Sequence, residues 1–158
     1  MANARRGCWL LPPVLALSAC GAPATSTTSR PPTEPRTAGA LVKVAQAFDD
    51  HFGRGVVGPV YDRWDTRSRA VISRAEYVRR HKECPSSPQP PAQVEDAEPG
   101  PDGTWLVHYR IGDVRLLDYW IYSAGRWQFD LLLSNPDAVL LYELPGPKYA
   151  EAVGCASH

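Results

Sequence analysis

"TWLVHYRIGDVRLLDYWIYSAGRWQFDLLL", residues 104–133, decides the fold. Its runs TWLVHYRI, VRLLDYWIY and RWQFDLLL alternate with period two, and Gly112-Asp113 and Ala124-Gly125 between them are hairpin-turn signals. A two-residue turn at Gly112-Asp113 pairs Ile111 with Val114, Tyr109 with Leu116, Val107 with Asp118 and Trp105 with Trp120. A turn at Ala124-Gly125 pairs Tyr122 with Trp127, Trp120 with Phe129, Asp118 with Leu131 and Leu116 with Leu133. Successive side chains point to opposite faces, so one face carries Trp105, Val107, Tyr109, Ile111, Val114, Leu116, Trp120, Tyr122, Trp127, Phe129, Leu131 and Leu133. Asp118 is the only charge on that face, and burial there predicts a raised carboxyl pKa. The other face mixes Leu106, Leu117, Tyr119, Ile121 and Leu132 with His108, Arg110, Arg115, Gln128 and Asp130. Such a half-apolar face is either a surface for a partner or second copy, or scattered surface apolars under loops.

Before the sheet the period is helical. Leu41, Val44, Ala45, Phe48 and Phe52 form one stripe that stops at Gly53 and Gly55, and Val57, Val60, Tyr61 and Trp64 form a shorter one. Ser73-Arg74-Ala75-Glu76 is a capping box that opens a third helix, whose Arg74, Arg79, Arg80, His81 and Lys82 read as a solvated face or a contact for anionic headgroups or polymer. AQVEDAE (92–98) is a polar strand for a sheet edge. In SNPDAVLLYEL, Asn135 caps and Pro136 begins a terminal helix. Helices, then antiparallel strands, then a short helix make an α+β fold over residues 39–158.

The N-terminus is a targeting segment: basic MANARRG, apolar CWLLPPVLALSA, then small residues. About 12 apolar residues reach roughly 18 Å, short of the ~30 Å hydrocarbon core. Leu17-Ser18-Ala19-Cys20 resembles the bacterial lipobox. That resemblance implies a signal peptide over 1–19, an acylated Cys20 and a cell-membrane protein anchored by lipid on the extracytoplasmic side. Residues 20–38, rich in Pro, Thr, Ser and Ala, bury too little to fold and read as a tether of about 20–25 Å.

Of the four cysteines, Cys8 leaves with the signal and Cys20 takes the lipid, so Cys84 and Cys155 remain. In an exported domain they make a disulfide by default, and closing a loop of about 70 residues contributes up to about 4 kcal/mol. His81-x-x-Cys84 with Cys155-x-x-His158 is the competing reading, a Cys2His2 zinc set.

AQAFDDHFGRGVVGPVYDRWD, the capped helix ending in RRHKEC and the long-stranded sheet together resemble the nuclear-transport-factor-like superfamily, in which a curved sheet wraps a helix into a cone. The element order over about 40–158 is also similar to small envelope domains and lipoproteins of actinobacterial and Gram-positive type, including the N-terminal extension of some penicillin-binding proteins. The resemblance implies two function classes. One is a non-catalytic binding or scaffolding module of the envelope. The other is an enzyme like the steroid-isomerase and polyketide-cyclase members, with Asp118 as acid or base, Tyr109, Tyr122 or Tyr61 donating to an oxyanion, and Trp105 and Trp120 as pocket walls.

The 158 residues hold 17 basic and 17 acidic side chains, and without Arg5 and Arg6 the balance turns slightly acidic, which gives no electrostatic footprint for nucleic acid. No phosphate loop, nucleophile elbow or internal repeat occurs, and nothing in the sequence calls for a cofactor.

Overall fold

The computed structural model describes residues 33–87 and 89–155, so Cys20, the signal segment, most of the tether and His158 lie outside the described residues. Chain order is α1 (Ala38–Gly53), α2 (Val57–Asp62), α3 (Thr66–Val71), α4 (Arg74–Glu83), β1 (Ala92–Pro99), β2 (Thr104–Ile111), β3 (Val114–Ser123), β4 (Arg126–Phe129), α5 (Leu131–Ser134), α6 (Pro136–Glu143) and α7 (Gly146–Ala152). The fold is α+β. Its one sheet is antiparallel with spatial order β1-β2-β3-β4.

The hairpin register agrees with the sequence reading across β2 and β3: Trp105 opposes Trp120, Val107 opposes Asp118 and Tyr109 opposes Leu116. Between β3 and β4, Trp120 opposes Phe129 and Tyr122 opposes Trp127. The second turn places Ala124 at φ 52° and Gly125 at φ 78°, the left-handed pair that matches strand twist in a tight hairpin. Helix α1 lies over the inner face, where Phe48 stacks on Phe129 at 4.7 Å and meets Trp120 edge-on at 5.3 Å. Leu41, Ala45, Trp64, Tyr77, Val107 and Trp127 complete a core dominated by aromatic rings. Ser73 caps α4 through Glu76 N, Asn135 caps α6 through Ala138 N, and Pro136 opens α6, all as the residue types require.

The sheet ends earlier than the alternation of RWQFDLLL implies. β4 stops at Phe129, so Asp118 has no Leu131 opposite it and Leu116 no Leu133. The cause is Asp130: its carboxylate accepts from Leu133 N at 3.1 Å and starts α5, while Arg67 Nη2 donates to it at 2.6 Å. Leu131 is buried at 4% exposure beneath this turn, its N–H donating to Ser68 Oγ at 2.9 Å, whereas Leu133 faces solvent. Leu132 therefore belongs to α5 and not to the outer face of the sheet. Val114 and Leu116, expected inside, are exposed near the β2–β3 tip. Asp65 repeats the device one element away, capping α3 through Ser68 N at 2.7 Å.

The basic helix is not uniformly solvated. Arg80 is buried, ion-paired with Glu76, and donates to the carbonyls of Tyr142 at 3.2 Å and Leu144 at 2.8 Å, satisfying the end of α6. A disulfide joins Cys84 to Cys155 with Cα atoms 5.5 Å apart, tying the end of α4 to the segment after α7.

Each sheet edge takes hydrogen bonds from outside the sheet over part of its length. On β1, the Gln46 side-chain amide donates to Ala92 O at 3.0 Å and accepts from Val94 N at 2.9 Å. On β4, Glu34, from the stretch read as tether, donates its N–H to Gly125 O at 2.8 Å and accepts from Trp127 N and Arg63 through its carboxylate. The Tyr122 hydroxyl donates to Glu34 O, and Trp127 Nε1 donates to Pro35 O at 3.0 Å.

Asp130→Ala removes a helix cap and a carboxylate with two partners, Leu133 N and Arg67, in the buried corner between α3 and α5. It is expected to lower unfolding free energy by about 2 kcal/mol in urea denaturation. Asn at the same position keeps the cap and recovers about half of the loss.

Candidate functional site

Stopping β4 at Phe129 leaves space beside Asp118, and the space is lined from several elements. α1 supplies Phe48, Asp49 and Phe52; α4 supplies Tyr77; β2 and β3 supply Tyr109 and Asp118; α6 supplies Tyr142. The cavity is about 160 Å³, and Trp64, Phe129, Leu131 and Ala138 close its apolar sides. Asp49, Phe52 and Tyr109 also line an outer groove of about 370 Å³ with Pro90, Pro91 and Ile111, which makes them the mouth.

Asp118 sits in the middle of β3 and is 7% exposed. Burial pushes its carboxyl up to about 8; the charge of Asp49 adds to this, and hydrogen bonding with Tyr109 pulls the other way. Burial likewise pushes Asp49 up to about 7, with Asp50 adding to it. The Tyr109 phenol is raised by burial and then by Asp118 and Asp49. Asp118 thus keeps most of its proton at neutral pH, while Asp49 stands near its midpoint. Beyond them, Tyr142 is within 2.9 Å of His81 Nε2, and burial lowers the His81 pKa. Trp64, 2% exposed, has no partner for its indole N–H among the described residues.

Of the residues singled out in the sequence, Asp118 and Tyr109 meet in this cavity. The others stand elsewhere. Tyr61 donates its hydroxyl to Ile72 O at 2.8 Å and Arg69 O at 3.1 Å, which holds α2 against α3. Trp120 is fully buried between Phe48 and Phe129. Trp105 packs edge-on against Trp127 at 5.1 Å, and Tyr122 is engaged by Glu34. Asp49 was the residue to find: it lies four residues after Ala45 and three before Phe52, on the same helical stripe.

Comparison with protein-family models, with curated proteins and with solved structures returns no match. What this chain does is therefore argued from its own residues.

For the zinc reading, Cys84 and Cys155 are bonded to each other, His81 is engaged by Tyr142, and His158 lies outside the described residues. Among the described residues no group of three or more His, Cys, Asp or Glu is placed to hold a metal, and no helix is long and apolar enough to cross a membrane. On the outer face Leu106, Leu117, Tyr119 and Ile121 are half-buried, beside an ion pair between Glu95 and Arg110 at 2.6 Å.

An acid whose pKa is higher folded than unfolded binds more protons in the native state, so its penalty grows as pH rises from the unfolded toward the folded value. With folded values of about 7 for Asp49 and about 8 for Asp118, the domain is expected to lose stability steadily between about pH 5 and pH 8. Asp118→Asn abolishes much of that slope and is more stable than wild type at pH 8.5. Urea midpoints at pH 5.5 and 8.5 check it; parallel pH profiles for the two proteins contradict it.

Proposed function

We propose that this protein is a small-ligand binding module of the cell envelope, tethered to the extracytoplasmic side of the membrane by lipid on Cys20. The observation that carries the binding role is the cavity of about 160 Å³ holding two carboxyls in an otherwise aromatic lining. A domain built only as a scaffold gains nothing from two desolvated acids without cationic partners, because leaving them there costs stability at neutral pH. The nuclear-transport-factor-like cone is the finer fold reading, supported by α1 lying over the inner face of the sheet with the cavity between. The anchor reading is supported by the lipobox-like Leu17-Ser18-Ala19-Cys20, and an oxidising compartment by the Cys84–Cys155 bond. The outer apolar face, Leu106, Leu117, Tyr119 and Ile121, remains the proposed surface for a protein partner or homodimer.

One observation favours a second reading, a small enzyme of isomerase or cyclase type. Asp49 and Asp118 titrate near neutrality, so one is able to accept a proton while the other donates, with Tyr109 as a donor to a developing oxyanion.

Cys20→Ser is expected to release the full-length protein from the membrane fraction and to end palmitate labelling; retention at the membrane overturns the anchor. Native mass spectrometry of the detergent-extracted protein is expected to show a bound small molecule, displaced in Ala138→Trp, which fills the cavity. If that molecule is returned chemically altered by wild type and unaltered by Asp118→Asn, the enzyme reading replaces the binding one.

A further inference from the structure

We propose that the cavity binds a small organic ammonium ion, with Asp49 and Asp118 as its counter-ions and the rings of Phe48, Phe52, Tyr109 and Tyr142 as its walls. The inference rests on the reading of this cavity as a ligand site and names what enters it.

The argument is one of missing charge. Asp65 and Asp130, the other buried carboxylates, share Arg67; half-buried Glu34 has Arg63, Glu76 has Arg79 and Arg80, and Glu95 has Arg110 and Arg115. Every carboxylate this domain withdraws from water is given an arginine, except the two in the cavity, which have no ion pair among the described residues. The groups around them are of the wrong kind to neutralise them. Asp50 adjoins Asp49 on α1, and the groups facing from β2, α4 and α6 are the phenols of Tyr109, Tyr77 and Tyr142. His81 lies one hydrogen bond further out on Tyr142, and Arg54 lines the outer groove and not the cavity. A cation that pairs with their ionised form has to come from outside.

Size and surface agree. A cavity near 150 Å³ accommodates a molecule as large as benzene, which admits an ammonium group with a few carbons. Aromatic faces attract alkylated ammonium through their quadrupoles, most strongly where water is excluded. The unpartnered Trp64 N–H is a donor that a hydroxyl or carbonyl on the same ligand satisfies. Asp49, Phe52 and Tyr109, shared with the outer groove, give the route in. Because Asp118, and Asp49 in part, hold protons when the cavity is empty, entry of a cation ionises them and the protons leave to solvent.

The test is calorimetry of the folded domain with choline and ethanolamine, against 3,3-dimethyl-1-butanol as the neutral shape of choline and 3,3-dimethylbutanoate as its anionic counterpart. The cations are expected to bind, with proton release read from buffers of different ionisation enthalpy and affinity rising up to about tenfold per pH unit below the carboxyl values. Asp118→Asn and Asp49→Asn are each expected to weaken choline at least about tenfold and to leave the neutral analogue unchanged. Asp49 is half-buried, so its variant keeps the test valid if Asp118→Asn folds poorly. Binding of the neutral or anionic analogue without the cations overturns the ammonium assignment and leaves the ligand site standing. Unchanged choline affinity in both variants overturns it too. Silence from all four probes overturns the ammonium assignment, and an empty cavity in the protein extracted from its own membrane overturns the ligand site.

Discussion

The structure depends on where the chain leaves the sheet. At Asp130 a single carboxylate caps α5, receives Arg67 and holds the corner that Ser68 fastens to Leu131 N. Its N–H makes one last ladder bond, to Tyr119 O at 2.9 Å, and the strand is over. Had β4 run on, Leu131 would lie flat against Asp118 and the inner face would be sealed. Instead α5 and α6 turn beneath that face, and a void opens beside its one charged residue, Asp118. Core, corner and cavity are consequences of the same hydrogen-bonded turn.

Around that void the domain is firmly built. Gln46 and Glu34 occupy the two sheet edges, Arg80 satisfies the end of α6, and helix starts carry polar caps at Thr37, Asp65, Ser73, Asp130 and Asn135. The other carboxylates withdrawn from water are paired with arginines, while the indole N–H of fully buried Trp120 is left without a partner among the described residues. The contrast gives the two cavity carboxyls their meaning: among acidic side chains taken from water, the fold leaves only these without a cationic partner among the described residues.

Much of this was legible in the residues. The turn residues and the alternation of β2 and β3 specify register, since a slip of one would expose Trp105, Val107 and Trp120 together. Ser73 and Asn135 announce their helices, and Cys84 and Cys155, the two cysteines left once the expected signal and lipid site are set aside, announce their bond. The end of β4 was not legible, because QFDLLL alternates well enough for a strand while Asp-Leu-Leu-Leu also fits a capped turn; only Arg67 and Ser68, some 63 residues away in sequence, decide between them. Thr66–Val71 escaped notice for a similar reason, as six residues carry no full helical period. Arg80 looked solvated because its neighbours Arg79 and Lys82 are, and its carbonyl partners lie on α6. Asp49 hides as the first of two adjacent acids at the margin of an apolar stripe, where one side chain turns inward and the next outward.

The Cys84–Cys155 bond encloses the whole sheet and the cavity floor in one covalent loop, from the end of α4 to the segment after α7. A protease that cuts inside this loop, for example at the exposed β2–β3 tip near Val114, separates no part of the domain from the rest. Both fragments stay joined, still paired strand to strand and still holding Asp118 against α1. The same crosslink that restricts the unfolded chain makes a single cleavage survivable.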